Sequence, residues 1–517
     1  MQTNTNATQQ ADDPTDPTNT SLGISEKMEV ESSENTKSVS IAENDSSISQ
    51  KILIIGNGIA GLSATKAARK QDPHAEIVIL SQESHPAYYR LRLCELIGKD
   101  TPLEGFYIHP IEWYSQNGIS LFLSCDVLSI HNPAKVSNFQ EHHIQNEHGN
   151  VITTDITDET SLQIKFSNSS SQTDKISIAN NNLKYVSTNK GDFAFDKLVI
   201  ASGSTPVMPP FPNRELAGIF TLWNLENITA INEALKNSHS AVIVGGGLLG
   251  LEIAFHISQM GISTTLIEGL PRILPKQLDE SGSGIFTKKI ESLGIRVITG
   301  QSVKEFQGVE RVEKVVLADG QILNADIVII SVGVRPNINI FGDCGILLDR
   351  YIQVNEYMQV KVAVNYNSTQ SGLSAVSSNP GDLVFSDCIY AAGDVASYNK
   401  TWFGLWTVAN SQGQIAGTNA AGGHVQYHID NYPYILNTME TKIAVSGDVI
   451  ISEGEIADVL QNVDPIKYSY IKLVFKEGVL IGGILIGEPS SKFVKLQTLI
   501  KNKATKDNVT LIDFLPV

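Results

Sequence analysis

The chain has 517 residues, more than the roughly 250 to 300 at which a single hydrophobic core stops growing, so several domains are expected. A hydrophobic content of 42% with 18% charged residues is typical of a soluble globular protein, and no apolar run reaches the roughly 18 residues of a membrane span. The 55 Asp and Glu against 38 Lys and Arg give a formal charge of -17, which disfavours nucleic acid and membranes as partners.

Residues 1–50 contain no aromatic side chain and are rich in Asn, Thr, Ser and Glu, so we predict a disordered tail there. Acidic residues without arginine in this segment argue against secretory and mitochondrial targeting signals. The cysteines are Cys94, Cys125, Cys344 and Cys388. No two of them have CxxC spacing, so neither a disulfide framework nor a redox dithiol is predicted, and a cytoplasmic location is expected.

Two stretches alternate apolar runs with helical patterns, which predicts βαβ units and parallel sheets. They run from Lys51 to about Ile130 and from about Phe220 to Gly345. Polar segments near 132–189 and 359–385 are predicted to be insertions, the first with antiparallel strands in SLQIKF and KYVS. The chain ends with a predicted hairpin turning at Glu477 and Gly478, followed by a helix in KFVKLQTLIKNK.

A glycine fingerprint follows the first strand. Gly56, Gly58 and Gly61 come after ILII and precede a helix predicted from near Leu62, which is the context that the GxGxxG pattern requires. The first glycine allows a tight turn, the second lets a pyrophosphate approach the backbone, and the third lets helix and strand pack closely. Free N–H groups at the helix N-terminus then face the phosphates.

The same fingerprint recurs at Gly245, Gly247 and Gly250, with Glu268 at the end of the next strand about 20 residues on. A carboxylate there accepts hydrogen bonds from ribose hydroxyls and repels a 2′-phosphate, so NADH is favoured over NADPH, although Arg272 leaves some room for NADPH. In the first half of the chain, Glu83 is the corresponding candidate for the acid that binds the ribose hydroxyls. Two dinucleotide sites in one chain predict that one holds a flavin and the other a hydride donor.

Five further segments resemble a known family. They are PAYYRLRLCEL (86–96), LVIASGSTP (198–206), IISVGVRPN (329–337), IYAAGDVA (389–396) and WFGLWTVANSQGQIAGTNAAG (402–422). In their order and spacing they resemble the two-dinucleotide-domain flavoproteins, the pyridine nucleotide-disulphide oxidoreductases, and within them NADH:rubredoxin oxidoreductase and the flavin portion of assimilatory nitrite reductase. The resemblance implies FAD and NADH as cofactors, with NADPH less favoured. It also implies NADH as substrate and a small redox protein or soluble oxidant as electron acceptor.

The resemblance implies a role for each matching residue. Asp394 would hold the ribitol hydroxyls, Arg90 would face the pyrophosphate or the flavin edge, and the helix beginning near Trp406 would stabilise the reduced ring. Leu248 would shield the flavin, and Glu252 would approach the nicotinamide. The residues assigned to FAD are Gly56, Gly58, Ile59, Ala60, Gly61, Glu83, Arg90, Ala201, Ser202, Gly203, Gly393, Asp394, Trp406, Thr407 and Val408. Those assigned to NADH are Gly245, Gly247, Leu248, Leu249, Gly250, Glu268 and Gly333, with Leu248 and Glu252 as the catalytic candidates.

The expected fold is α/β, with two Rossmann-like doubly wound dinucleotide-binding domains and a small α+β C-terminal domain. The resemblance places the FAD-binding domain in 51–218 and 346–426, the NAD(P)H-binding domain in 219–345 and the last domain in 427–517. No metal site is expected.

Two other functions stay open. Related NADH oxidases, peroxidases and coenzyme A disulfide reductases use one cysteine beside the flavin, but the residue in that register is Leu91, and Cys94 lies about one helical turn away. If this chain worked as one of these enzymes, Cys94 would have to serve as the cysteine beside the flavin. The other alternative is a redox sensor similar to apoptosis-inducing factor, in which reduction by NADH changes a binding partner's affinity.

Overall fold

The structure, a computed structural model, describes residues 49–99, 102–131, 144–145, 151–152, 184–341, 345–363, 383–429, 434–451 and 454–515. The predicted tail 1–50 lies outside the described residues except for its last two. The predicted strand in SLQIKF also lies outside them.

The first half of the chain builds a parallel sheet around KILII, whose last four residues are buried. Its elements are β1 (Lys51–Ile55), α1 (Ile59–Gln71), β2 (Glu76–Leu80), α2 (Ile111–Gln116), β3 (Ile119–Phe122), β4 (Val127–His131), β5 (Ile144–Gln145), β6 (Val151–Ile152), β7 (Tyr185–Thr188), β8 (Gly191–Ala194), β9 (Lys197–Ile200) and β10 (Ser204–Pro206). Strand β1 lies between β2 and β9, parallel to both. Strand β7 confirms the strand predicted in KYVS and pairs antiparallel with β4 and β8.

The second half repeats this plan. Its elements are β11 (Ile219–Thr221), α3 (Leu225–Leu235), β12 (Ser240–Val244), α4 (Leu248–Gln259), β13 (Ser263–Glu268), α5 (Glu280–Ser292), β14 (Arg296–Thr299), β15 (Val303–Gln307), β16 (Lys314–Leu317), β17 (Ile322–Asn324), β18 (Ile327–Ile330) and β19 (Val334–Pro336). A parallel sheet has the order β11-β18-β12-β13-β14, and the antiparallel strands β15 to β17 form a separate sheet. The two predicted parallel sheets are therefore confirmed.

The chain then returns to the first sheet. The elements are β20 (Ile352–Val354), β21 (Gln359–Ala363), β22 (Leu383–Ala391), β23 (Ala396–Tyr398) and α6 (Trp406–Ala420). Strand β22 pairs parallel with β9, so the first sheet has the order β23-β20-β21-β22-β9-β1-β2-β3 within the described residues. Both ends of the predicted insertion at 359–385 are strands, because β21 and the start of β22 pair with each other. The polar–apolar alternation of QVKVA is typical of a strand, and the Asn- and Ser-rich residues after it obscured this signal.

The C-terminal part is an antiparallel sheet covered by one helix. Its elements are β24 (Tyr434–Thr438), β25 (Thr441–Gly447), β26 (Asp458–Asp464), β27 (Ser469–Lys476), β28 (Val479–Ile486) and α7 (Phe493–Lys501). The predicted hairpin is confirmed, with Glu477 at φ 52° and Gly478 at φ 76°, as the two-residue turn of twisted strands requires. The predicted α+β class is therefore correct.

This sheet has two buried faces. Ile471, Leu473 and Phe475 of β27 pack on the side of α7. On the other face Tyr470 and Ile484 join the core of the second parallel sheet, which includes Leu266 and Phe286. The C-terminal sheet therefore shares a core with the second half instead of standing alone. No helix in the described part of the chain combines the length and apolar character needed to cross a bilayer.

Candidate functional site

The first glycine fingerprint has the backbone that its spacing predicts. Gly56 has φ +99°, and a Cβ there would lie 2.2 Å from the Ala201 carbonyl oxygen. A Cβ at Gly61 would lie 1.9 Å from the Gly56 carbonyl oxygen, whereas Gly58 faces open space. Helix α1 begins at Ile59, three residues before the predicted start near Leu62, and no side chain caps its N-terminus. Open space beside uncapped N–H groups fits a dinucleotide pyrophosphate.

The second fingerprint repeats this geometry. Gly245 has φ +116°, and a Cβ there would lie 2.1 Å from the Ser331 carbonyl oxygen. A Cβ at Gly250 would meet the Gly245 carbonyl oxygen at 2.0 Å, and Gly247 again faces open space. Helix α4 begins at Leu248 without a side-chain cap, so a second set of N–H groups is available for an anion.

The two ribose candidates are not equivalent. Gly56 N donates to Leu80 O, and Gly245 N donates to Ile267 O, so the residue in the register of Glu268 is Ser81. The carboxylate of Glu268 accepts hydrogen bonds from Gly246 N at 2.7 Å and Leu270 N at 2.8 Å, which hold it beside the fingerprint.

Glu83 lies two residues beyond that register. Its carboxylate accepts from the Tyr88 hydroxyl at 2.6 Å and from the guanidinium of Arg90. The structure therefore pairs two residues that the sequence analysis assigned to different parts of FAD, and both assignments stay predictions.

Arg90 also reaches the second half of the chain. Its guanidinium donates to the Trp223 carbonyl and lies 4.9 Å from the Tyr88 ring centroid and 5.4 Å from that of Trp223. Sequence analysis missed Trp223, which precedes α3 and belongs to no recognised motif. Two aromatic rings and a carbonyl hold Arg90 at the junction of the two halves.

The GD motif is buried under α6. Gly393 N donates to Gln412 Oε1 at 3.0 Å, and the carboxylate of Asp394 accepts from the Ser204 hydroxyl at 2.6 Å. Burial raises the pKa of Asp394, and the Ser204 hydrogen bond and the charge of Arg90 partly oppose this. Sequence analysis missed Ser204, although its position directly after Gly203 was a signal.

Helix α6 begins at Trp406 after Leu405, which supplies no side-chain cap. The backbone N–H groups of Trp406, Thr407 and Val408 are therefore at an uncapped N-terminus, where a helix favours negative charge. Trp402, just before it, donates from Nε1 to the Asp394 carbonyl at 3.0 Å, which fixes the preceding loop against the GD motif.

The two exit segments cross between the halves. Strands β10 and β19 pair antiparallel, directly after Gly203 and Gly333. Both glycines have positive φ, +67° and +109°. Asn337 Nδ2 donates to Ser202 O, and the Ser202 hydroxyl donates to Asn337 O, each at 2.9 Å. The crossing holds the segment of Ala201 to Gly203 against the segment that follows β18.

A cavity of about 230 Å³ lies beside this crossing. Gly247, Leu248, Leu249 and Gly333 line it from the second half, and Asp394 lines it from the first. Trp223, Leu222, Gly404, Pro206, Val334, Ile330 and Ser331 complete its walls. The structure therefore brings together residues that the sequence assigned to NADH and to FAD.

Glu252 does not line this cavity. It lies on α4 with His256 one turn on, where the His256 Nε2 to Glu252 Oε2 distance is 3.9 Å. Burial raises the pKa of Glu252, and the nearby charge of Glu95 adds to this effect. The assignment of Glu252 to the nicotinamide stays a prediction.

Cys94 is 3% exposed, and burial together with the charges of Glu252 and Glu95 raises its thiol pKa far above the ordinary range. Leu91, in the register of the cysteine used by the oxidases, is 72% exposed. A thiol nucleophile needs access and a depressed pKa, and Cys94 has neither. Within the described residues no cluster of His, Cys, Asp and Glu is arranged to hold a metal ion.

Residues 50–364 match the family model described as pyridine nucleotide-disulphide oxidoreductase. The chain belongs to this family. Residues 434–504 match the model described as the rubredoxin NAD+ reductase C-terminal domain. Pyridine nucleotide-disulphide oxidoreductases of this fold bind FAD and NAD(P)H.

Relatives and solved structures agree with the family. NADH-rubredoxin oxidoreductase of Clostridium acetobutylicum is 29% identical over 474 residues, which cover 90% of this chain and 98% of the relative. The crystal structure of the Clostridium acetobutylicum NADH:rubredoxin oxidoreductase has a TM-score of 0.64 at 27% identity, over 90% of this chain and 98% of that one. The assimilatory nitrate reductase electron transfer subunit of Bacillus subtilis is 25% identical over 460 residues, which cover 88% of this chain. This chain spans about half of that relative's length, 50%.

Proposed function

We propose that the chain is an FAD-dependent NADH oxidoreductase that passes electrons from reduced flavin to a small redox protein. The cavity of about 230 Å³ between the two halves carries this proposal, because Leu248 and Gly333 on one side face Asp394 on the other. A nicotinamide and a flavin would have to meet in such a place for hydride transfer. We further propose the domain boundaries predicted from sequence, with FAD in the first sheet's domain and NADH in the second's.

The residues of the first half fit FAD. The open side of Gly58 and the uncapped N-terminus of α1 would receive the pyrophosphate. Asp394, an acceptor held by Ser204, would bind the ribitol hydroxyls. FAD, when bound, supplies acceptance of a hydride and release of its two electrons one at a time. The uncapped N–H groups at Trp406 to Val408 would stabilise negative charge that develops on the reduced ring.

The second half favours NADH over NADPH. The carboxylate of Glu268 is held by two backbone N–H groups at the ribose end of the site, where it would repel a 2′-phosphate. Arg272 is turned away from this role, since its guanidinium donates to the carbonyls of Leu278 at 3.1 Å and Pro275 at 3.2 Å. The hydrogen bonds of Arg272 therefore do not support the alternative, raised by the sequence, that this residue favours NADPH.

The acceptor is proposed to be a small redox protein, as in the NADH-rubredoxin oxidoreductase that this chain resembles. The buried, protonated thiol of Cys94 does not support an oxidase that works through a cysteine. The cysteines Cys94, Cys125 and Cys388 are free and buried, which supports a reducing, cytoplasmic location.

Anaerobic titration of the purified holoprotein tests the proposal. NADH is expected to bleach the flavin band at about 450 nm, a property of the cofactor itself. A stopped-flow experiment should then show rapid return of the band when oxidised rubredoxin is added. A band that NADH leaves unchanged would refute NADH-dependent reduction. A long-lived reduced complex that rubredoxin does not oxidise would instead favour the redox sensor.

A further inference from the structure

The segment 269–279 joins the predicted ribose acid to helix α5. It begins after Glu268 and packs on the second fingerprint, because Leu274 N donates to the Gly246 carbonyl at 3.1 Å. Ile273 and Leu274 are fully buried, and a Cβ at Gly246 would meet the Ile273 side chain at 3.0 Å. The position of this segment therefore decides the shape of the site beside Glu268.

The segment ends at Asp279, whose carboxylate serves three donors. One oxygen caps α5 by accepting from Gly282 N at 2.9 Å. The other accepts from the Tyr470 hydroxyl at 2.8 Å and from Lys472 Nζ at 2.8 Å. Tyr470 and Lys472 belong to β27 of the C-terminal sheet, so the cap of α5 is also a bond between domains.

Both partners of Asp279 are buried, and Asp279 itself is half-buried. Tyr470 is 0% exposed and Lys472 is 6% exposed, and Lys472 Nζ also donates to the Val449 carbonyl at 2.9 Å. Burial alone would raise the pKa of Asp279, but the hydrogen bonds from Lys472, Gly282 N and Tyr470 outweigh it and lower the pKa. An ion pair with this much burial and this many partners is held in one geometry, unlike an exposed pair.

A second, weaker contact holds the other end of α5. Lys289 Nζ lies 3.1 Å from the Glu440 carboxylate in the turn between β24 and β25. The helix that follows segment 269–279 is therefore attached to the C-terminal sheet near both of its ends.

We infer that Tyr470 and Lys472 are positioning residues for the nicotinamide dinucleotide, because through Asp279 they hold segment 269–279 against the second fingerprint. The inference rests on the proposed binding of NADH at that fingerprint. It gives the C-terminal domain a task in binding the adenosine half of NADH. Neither side chain lines the cavity of the proposed hydride transfer.

Binding of ADP-ribose to the FAD-loaded full-length protein tests the inference, since this probe contains the adenosine half but cannot reduce the flavin. Lys472→Met should raise the dissociation constant for ADP-ribose about tenfold, and Tyr470→Phe, which keeps the ion pair, about threefold. The KM for NADH should rise in parallel, while kcat at saturating NADH and the FAD content stay near those of the wild type.

Lys495→Met is the matched control. Lys495 lies in the same domain and also bonds an Asp at a helix N-terminus, with Nζ 2.8 Å from Asp513 Oδ1, but this pair is exposed and does not contact α5. It should leave ADP-ribose binding unchanged.

Each outcome decides one question. Wild-type protein that binds neither ADP-ribose nor NADH would remove the proposed function itself. If the wild type binds both, unchanged affinity in Tyr470→Phe and Lys472→Met would overturn the inference, as would an equal loss in Lys495→Met. If Lys472→Met does not fold, Tyr470→Phe alone decides, because it removes a single hydroxyl.

Discussion

Gly413 of α6 lies against the Ala60 carbonyl of α1, so closely that a Cβ at Gly413 would be 2.2 Å from that oxygen. Gly417 repeats the contact one turn later, at 2.0 Å from the Ala64 carbonyl oxygen. The two helices cross here with backbone against backbone. This close approach sets the uncapped N-terminus of α1 relative to that of α6, and both are proposed to face FAD.

Replacement of Gly413 by alanine should therefore reduce FAD retention. The new methyl group would meet backbone and not a flexible side chain, so the helices must separate, at a cost of about 2 kcal/mol. We expect purified Gly413→Ala to hold less than about half the FAD of the wild type, measured from the ratio of flavin to protein absorbance.

Gly284→Ala is the control for this change. Gly284 lies in the interior of α5 with nothing within 4 Å of a Cβ, and alanine in such a position stabilises a helix by up to about 1 kcal/mol. FAD retention should be unchanged. Full retention in Gly413→Ala would contradict the proposed role of the crossing.

The choice of NADH is expected to depend on Glu268. Glu268→Gln removes the negative charge that would repel a 2′-phosphate but keeps a similar shape. The ratio of kcat/KM for NADH to that for NADPH should fall by about tenfold, mostly through a higher KM for NADH and a lower one for NADPH.

Arg272→Gln tests whether Arg272, and not Glu268, decides between NADH and NADPH. Its guanidinium is bonded to the carbonyls of Leu278 and Pro275, so this variant should lose stability and keep the ratio of NADH to NADPH activity. A selective loss of NADPH activity would show that Arg272 binds the phosphate instead.

Cys94 is expected to be chemically silent. Because burial raises its pKa, the thiol should stay protonated through pH 9, and iodoacetamide should not modify it in the native protein. Peptide mapping by mass spectrometry after labelling at pH 7 and pH 9 checks this, with protein unfolded in guanidinium as the positive control. Cys94→Ser should keep the rate of NADH-dependent reduction of the electron acceptor within about twofold of the wild type. Loss of that activity would return the cysteine-dependent oxidases to consideration.

Sequence reasoning succeeded where chemistry is local. The spacing of Gly245, Gly247 and Gly250 dictates a turn and a helix start within a few residues, so the second fingerprint could be predicted without knowing its surroundings. The pairing of Glu83 with Arg90 could not be predicted in this way. The sequence analysis assigned the two residues to different parts of FAD, and only the fold shows that they are hydrogen-bonded to each other.

The contact of Asp279 with Tyr470 could not be predicted from the sequence either, because 191 positions separate the two residues. Lys472 is the single charged residue inside an apolar run of β27, and nothing in that run identifies an acid that pairs with it. It is buried because α5 packs against that face of the C-terminal sheet, and Asp279, the N-cap of α5, supplies the acid.

This buried pair should make stability depend on pH in a defined direction. The pKa of Asp279 is depressed in the folded protein, so its contribution to stability is present above the ordinary carboxyl pKa of about 3.9 and is lost as the pH falls toward the folded value.

Lys472→Met removes the partner most responsible for that depression, and at pH 7 it should lower the free energy of unfolding by about 2 kcal/mol. Urea midpoints of wild type and variant should therefore differ most at pH 7 and converge as the pH falls below about 4. A difference that stays constant over this range would mean that Lys472 acts through packing of its alkyl chain and not through its charge. Lys495→Met, whose exposed pair contributes less than about 1 kcal/mol, should show a much smaller shift at every pH.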